Sequence, residues 1–244
     1  MKSMSTSTTE KPSSITPSAS TRVRVWDLPT RVFHWGLVVC VAASYATVKL
    51  GGLWMEWHVR FGLATLALVL FRVAWGVVGP RYARFSQFVR GPRAILAYLR
   101  GRQPHQAGHN PLGALSVVAL LAMFGIQAVT GLFTTDDVMT AGPLAYLSDT
   151  WSGRLTWLHD LDEWILVALV ALHVAAILWY RLARGKNLVG PMLHGDVPAD
   201  TNHPPPEPAS DSWRVRAGAL VMGLAAAAFV WWLTTLAPLE PSFM

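Results

Sequence analysis

Four histidines stand where the chain is otherwise apolar. His34 lies in VFHWG and His58 in EWHVRFG, while His159 and His173 sit fourteen residues apart in WLHDLDEWILVALVALHVAA. Imidazole is a good ligand for iron and other transition metals. A polar group left unpaired in lipid is expensive and usually functional. A spacing of fourteen is about 21 Å of α-helix and nearly four whole turns, so His159 and His173 share a face. Taken singly, each histidine also fits a hydrogen-bonded packing role, and His58 and His159 also fit simple wetting at a membrane interface. Zinc fits less well, because its ligands usually gather in one cluster with Cys or carboxylate. The one cysteine, Cys40, lies in an apolar run and reads as packing. There is no CxxCH, which excludes covalent c-type haem attachment by that route.

The elements that must position these side chains are membrane-spanning helices. Of the 244 residues 52% are hydrophobic and only 14% charged, against about 25% charged in a soluble chain. The twelve tryptophans suit the interfaces of a bilayer. Five apolar stretches are long enough to span about 30 Å of hydrocarbon: about Val32 to Leu50, Val59 to Val78, Leu112 to Phe133, Leu161 to Tyr180 and Val215 to Leu236. The expected fold is an all-α integral membrane protein, a four-helix transmembrane bundle with one extra C-terminal transmembrane helix.

The net charge of +6 sits between the apolar stretches rather than on one face, which argues for topology and against a nucleic-acid partner. Arg22, Arg24 and Arg31 precede the first span. Arg81, Arg84, Arg90, Arg93, Arg100 and Arg102 fill the second loop, and Arg184, Lys186 and Arg214 the fourth. The first and third loops hold only Lys49, Arg60 and Arg154 beside several acids. By the positive-inside rule the N-terminus is cytoplasmic and the short C-terminal tail lies outside, with membrane lipid as the first partner.

This topology sorts the histidines by depth. His34 and His173 fall in the inner half, His58 and His159 in the outer half. Two pairs at two depths are what two bis-histidine haems stacked across a bilayer require, and bundle cores commonly house such groups. Gly36, Gly62, Ala168, Ala171, Ala175 and Ala176 lie near the ligands, as a flat macrocycle needs. Arg72, in the inner half of the second span, has two readings: snorkelling to the interface, or pairing with a haem propionate. Arg31 has the same two. His105, His194 and His203 read as solvated loop residues. His109, just before the third span, either caps that helix or contacts a haem edge or a quinone. Asp160, Asp162 and Glu163 suit a helix first turn, and Asp136 and Asp137 a turn. Both acidic groups read as surface, with docking of a basic external carrier as the functional option.

Four units are expected: residues 1–21 a disordered tail without an apolar h-region, 22–192 the four-helix domain, 193–214 a Pro-rich cytoplasmic linker, and 215–237 the fifth helix. Carboxylate dyads, nucleophile triads, phosphate loops and metal-hydrolase motifs are missing, so no catalytic residue is named and the expected chemistry is redox only.

Taken in order, RVFHWG, WHVRFG, HNPLGALSVVALL and LHDLDEWILVALVALHVAAILWY resemble the prokaryotic cytochrome b-561 and hydrogenase-type cytochrome b family over about Val23 to Met192. The resemblance implies two non-covalent haem b groups with His34, His58, His159 and His173 as axial ligands. It implies electron transfer between the quinone or quinol pool and a periplasmic protein such as a c-type cytochrome or a hydrogenase. Two alternatives stand beside it: a self-contained quinone oxidoreductase using a small oxidant or reductant such as superoxide, and a non-redox membrane anchor. The fifth helix departs from the four-helix pattern. Its small residues suit docking of a second subunit, and the oligomeric state is open.

Overall fold

The computed structural model describes residues 22–101, 108–136, 140–199 and 205–237. The tail expected at 1–21 lies outside the described residues, as do Arg102, His105, Asp137 and His203.

The chain opens with a short strand, β1 (Arg22–Arg24), and enters the first long helix, α1 (Leu28–Leu50). Asp27 caps α1 by accepting from the Thr30 amide, and Pro29, with its fixed φ, suits the first turn. Two consecutive glycines at positive φ, Gly51 and Gly52, reverse the chain. A backbone without Cβ adopts this conformation at little cost. The reversal lets α2 (Met55–Val78) return directly along α1.

Two short helices follow, α3 (Phe85–Phe88) and α4 (Pro92–Leu99), and then α5 (Pro111–Gly131), capped by Asn110. The fourth span is α6 (Asp149–Ala183), capped by Ser148. After it come α7 (Val189–His194), a second strand β2 (Asp196–Pro198) and α8 (Trp213–Thr234). Among the described residues five helices are long and apolar enough to cross a membrane.

The sequence places the start of the fourth span near Leu161, whereas α6 begins twelve positions earlier and runs for 35 residues. At 1.5 Å per residue that is about 52 Å, well beyond the hydrocarbon thickness. Hydropathy detects only the part in lipid, while the capping Ser148 sets the actual start. Asp160, Asp162 and Glu163 therefore lie in the helix interior and not in its first turn.

α2 is the central helix, packed against α1, α5 and α8, and α6 runs along α5. The backbone of α6 keeps its distance from α1 and α2, the two helices that carry the other histidines. Lipid is as apolar as leucine, so van der Waals packing rather than water exclusion joins these helices. Phe33, Phe71, Trp75, Leu121 and Ala219 interlock at one end. Val69, Phe124 and Leu166 fill the middle, and Leu66, Ala128, Leu132 and Val230 the other end. Large apolar side chains such as Leu172 and Trp231 point outward, as lipid contact requires.

The segment read as a linker is fastened where it is described. β2 pairs antiparallel with β1, with Val23 opposite Val197. The Ala209 amide donates to the Arg24 carbonyl at 2.7 Å, and Asp211 accepts from the Arg24 side chain at 2.7 Å and the Leu28 amide at 3.2 Å. Glu207 forms an ion pair with Arg81. Proline-rich composition predicts no core, but Arg24 ahead of α1 and Arg81 after α2 supply these polar anchors.

Candidate functional site

At the end of the bundle away from the arginine-rich segments, His58 on α2 and His159 on α6 face each other. Their ring centres are 6.2 Å apart and their planes stand at 88°. The Nδ1 atom of His58 lies 2.9 Å from the Ser44 carbonyl oxygen and 3.1 Å from the Ser44 hydroxyl. The Nδ1 atom of His159 lies 3.0 Å from the Gln127 carbonyl oxygen and 3.1 Å from the Thr130 hydroxyl. A carbonyl oxygen only accepts, so both Nδ1 atoms carry the proton, and each Nε2 keeps a free lone pair. This is how metal-binding imidazoles are oriented: the second nitrogen donates to a carbonyl or carboxylate, which fixes the tautomer and raises ligand basicity. The ring separation suits one metal ion between two nitrogens, each bond being about 2 Å.

Local sequence explains the arrangement. The Gly51–Gly52 reversal sets Ser44 beside His58. On α5, Gly131 leaves the room that His159 fills, since a Cβ there would stand 3.1 Å from His159 Cε1. No cluster of three or more His, Cys, Asp or Glu side chains able to hold a metal ion occurs among the described residues. Two imidazoles leave the remaining coordination positions to another group, as a porphyrin would supply them. A Cβ at Gly62, one turn after His58, would meet open space.

At the arginine-rich end, His34 on α1 and His173 on α6 lie within electrostatic range of one another. The sequence names these two and leaves His109 open between a helix cap and a contact to a haem edge or a quinone; the structure sets it at this same end. Its ring lies 4.7 Å from that of Trp26 and 4.6 Å from that of Phe88. Burial, together with the charges of Arg72, His173 and His34, pushes His109 down to about 3, so its imidazole is neutral. His109 precedes the helix cap, which is Asn110: its side chain accepts from the Gly113 amide at 2.7 Å and donates to the Tyr180 hydroxyl at 2.9 Å.

Arg72 does not snorkel. It is 2% exposed, with its guanidinium 4.9 Å from the Phe85 ring centre and 6.0 Å from that of Phe33. Arg31 donates to the Leu193 carbonyl at 2.5 Å. The buried Nδ1 atoms of His34 and His109, Nη1 of Arg72 and Nε of Arg31 have no hydrogen-bond partner among the described residues. Orphaned buried donors and acceptors are rare in native proteins. With Arg84 Nε, five of the eight such atoms among the described residues lie at this end, as at a site for a bound polar group, and the others are Gln127 Oε1 and the two Asp162 oxygens.

The acidic residues divide. Asp160 and His194 are exposed, and Asp136 accepts from the Thr140 amide at 2.8 Å, in keeping with a turn. Glu163 pairs with Lys49 at 2.6 Å. Asp162, expected at the surface, is 1% exposed, because the longer α6 turns this position inward, one turn before the buried Leu166.

A family model described as prokaryotic cytochrome b561 matches residues 25–195. The chain belongs to the prokaryotic cytochrome b561 family. Membership makes this cytochrome b561 a haem b protein of electron transport, with several spans in a prokaryotic inner membrane. Two curated relatives carry the name "Probable Ni/Fe-hydrogenase 1 B-type cytochrome subunit", from Escherichia coli strain K12 and Escherichia coli O157:H7. Each is 22% identical over 209 residues, covering 70% of this chain and 88% of the relative. No solved structure matches the chain. The matched region contains all four histidines, Arg31, Arg72 and His109, and α8 lies beyond it.

Proposed function

We propose that this cytochrome carries electrons across the membrane with two haem b groups, linking the quinone pool to a periplasmic redox protein such as a c-type cytochrome or a hydrogenase. His58 and His159 hold one haem iron, and His34 and His173 the other, with Arg31 and Arg72 as the cationic groups beside the second. The observation that carries this reading is the His58–His159 pair, set 6.2 Å apart with both Nδ1 atoms tied to backbone carbonyls. Haem b, when bound, supplies a reversible one-electron iron couple whose potential follows ligation, burial and nearby charge.

The protein's own task is to hold and orient. Ser44 and Gln127 fix the tautomers of the far-end imidazoles. α6 contributes one histidine to each level, so a single rigid helix fixes the separation of the two levels. The loop charges support a cytoplasmic N-terminus and a periplasmic C-terminus. The name of the curated relatives supports a multisubunit oxidoreductase as the external partner.

The test is a reduced-minus-oxidised spectrum of the detergent-purified chain, with haem extracted and counted per polypeptide. Two b-type haems are expected. One haem removes one of the pairs from the assignment, and a folded, colourless protein removes the electron-transfer reading.

A further inference from the structure

The arginine-rich end holds two buried polar nitrogens without a hydrogen-bond partner among the described residues, and a run of aromatic rings connects them. Arg72 on α2 and His109 ahead of α5 are linked through the two aromatic rings of α3. Phe85 lies under the Arg72 guanidinium at 4.9 Å, Phe88 lies against the His109 ring at 4.6 Å, and the two phenyl rings touch at 5.7 Å. α3 is fixed in place because Phe85 rests directly on Gly76, where a Cβ would come within 2.0 Å of its ring. Trp26 closes the other side of His109 at 4.7 Å.

Arg72 Nη1 and His109 Nδ1 are both shut off from solvent and both unpartnered among the described residues. Rings stacked on a guanidinium attract its charge but accept none of its in-plane N–H bonds. The carboxylate that Arg72 senses most is Asp27, and it is already committed. It accepts from the Thr30 amide at 2.9 Å, the Thr30 hydroxyl at 2.8 Å and the Trp75 indole at 3.1 Å. A buried cation without an anion is among the costliest arrangements in a protein, so the enclosure calls for an anionic oxygen ligand. Guanidinium matches a carboxylate with two parallel bonds, and a neutral imidazole adds one further N–H.

We propose that Arg72 and His109 together form a carboxylate site that takes a propionate of the haem held by His34 and His173. The inference rests on that haem assignment and adds His109 to it as a positioning residue, which donates to the propionate and leaves the iron to His34 and His173.

The test uses haem b and its dimethyl ester, in which both carboxylates are masked, titrated into the detergent-purified full chain carrying His159→Ala so that only the His34–His173 pair remains. Haem b is expected to bind about tenfold to a hundredfold more tightly than the ester, the range of one or two charge-assisted bonds. Arg72→Gln and His109→Phe should each shrink that ratio, and the double variant should bind both porphyrins alike. Arg72→Lys, which keeps the cation where Arg72→Gln risks misfolding, should retain much of it. Equal affinity of the His159→Ala chain for haem b and ester overturns the proposal, with no variant needed. So does a ratio that R72Q and H109F leave intact. If those variants keep the ratio but slow reoxidation by a water-soluble quinone, the two donors serve a quinone carbonyl and the carboxylate assignment is wrong. A folded chain that binds neither porphyrin fails at the earlier step, the haem assignment itself.

Discussion

The imidazoles of His58 and His159 stand 6.2 Å apart with perpendicular planes, each anchored through Nδ1 to a backbone carbonyl of a neighbouring helix. Because the anchors are main-chain groups, the pair is set by how α1 meets α2 and how α5 meets α6. Replacing either histidine should therefore remove one haem and spare the other. His58→Ala and His159→Ala are each expected to lower haem content from two per chain toward one, with the absorbance of the second haem unchanged. Equal loss of both haems from a normally inserted variant would speak against the pairing.

Gly131 is the tightest point against that pair. A Cβ there stands 3.1 Å from His159 Cε1, closer than ordinary contact, and 3.5 Å from Nδ1. Gly131→Val should turn the imidazole away from the Gln127 carbonyl and reduce occupancy of that haem by about tenfold or more, in line with the cost of losing an outer-shell partner. Titration of apo-protein with haem b, set beside Gly218→Ala on α8, where a Cβ meets open space away from the histidines, gives the comparison. Similar affinities for the two variants would contradict the packing account.

Gly76→Ala tests the floor of the other end. The new methyl group would overlap the Phe85 ring, and Phe85 covers Arg72. Overpacking of this kind costs about 1–3 kcal/mol, so the melting temperature in detergent should fall by about 3–10 °C for a chain of this size. An unchanged melting temperature would mean that α3 shifts freely and does not fix Arg72.

Asp211 gives a pH dependence outside the membrane. Burial favours its neutral form, but bonds from Arg216, the Leu28 amide and Arg24 outweigh burial and hold the carboxyl below its ordinary value. A depressed folded value means that the stabilisation is complete above about pH 4, the unfolded value, and is lost as pH falls through the folded value. Hydrogen exchange at the Leu28 amide, which donates to Asp211, should accelerate below about pH 4 in the parent chain beyond what intrinsic exchange rates predict. Asp211→Asn should show the faster exchange already at pH 7 and gain nothing further on acidification. Equal protection in both chains at pH 7 would rule out this tie.

Much of this was legible in the chain. Each span is a run of apolar residues, and in lipid a continuous helix satisfies every backbone group, so hydropathy located all five. The pairing of His58 with His159 followed because alternating loop charge orders the helices by depth. What escaped detection depends on contacts between distant segments. β1 and β2 are three residues each and carry no alternation of their own. The start of α6 is set by Ser148 and not by an apolar boundary. His109 stood apart from the loop histidines only by its place just before the third span, and its surroundings stayed hidden because Trp26, Phe88 and Arg72 are not near it in sequence. Asp162 pointed to the surface only while the helix was thought to begin near it.

The β1–β2 fastening has a consequence for biosynthesis. It ties the segment ahead of α1 to the segment after α6, the two helices bearing His34 and His173. Pro198, the last residue of β2, lies 25 positions beyond His173. At roughly 5–20 residues per second, the ribosome delivers that strand about 1–5 s after the last histidine of the set. A nascent chain therefore holds all four imidazoles in the membrane before its ends are joined, and a stop codon near Val189 would yield a product with every imidazole of the set and no clasp.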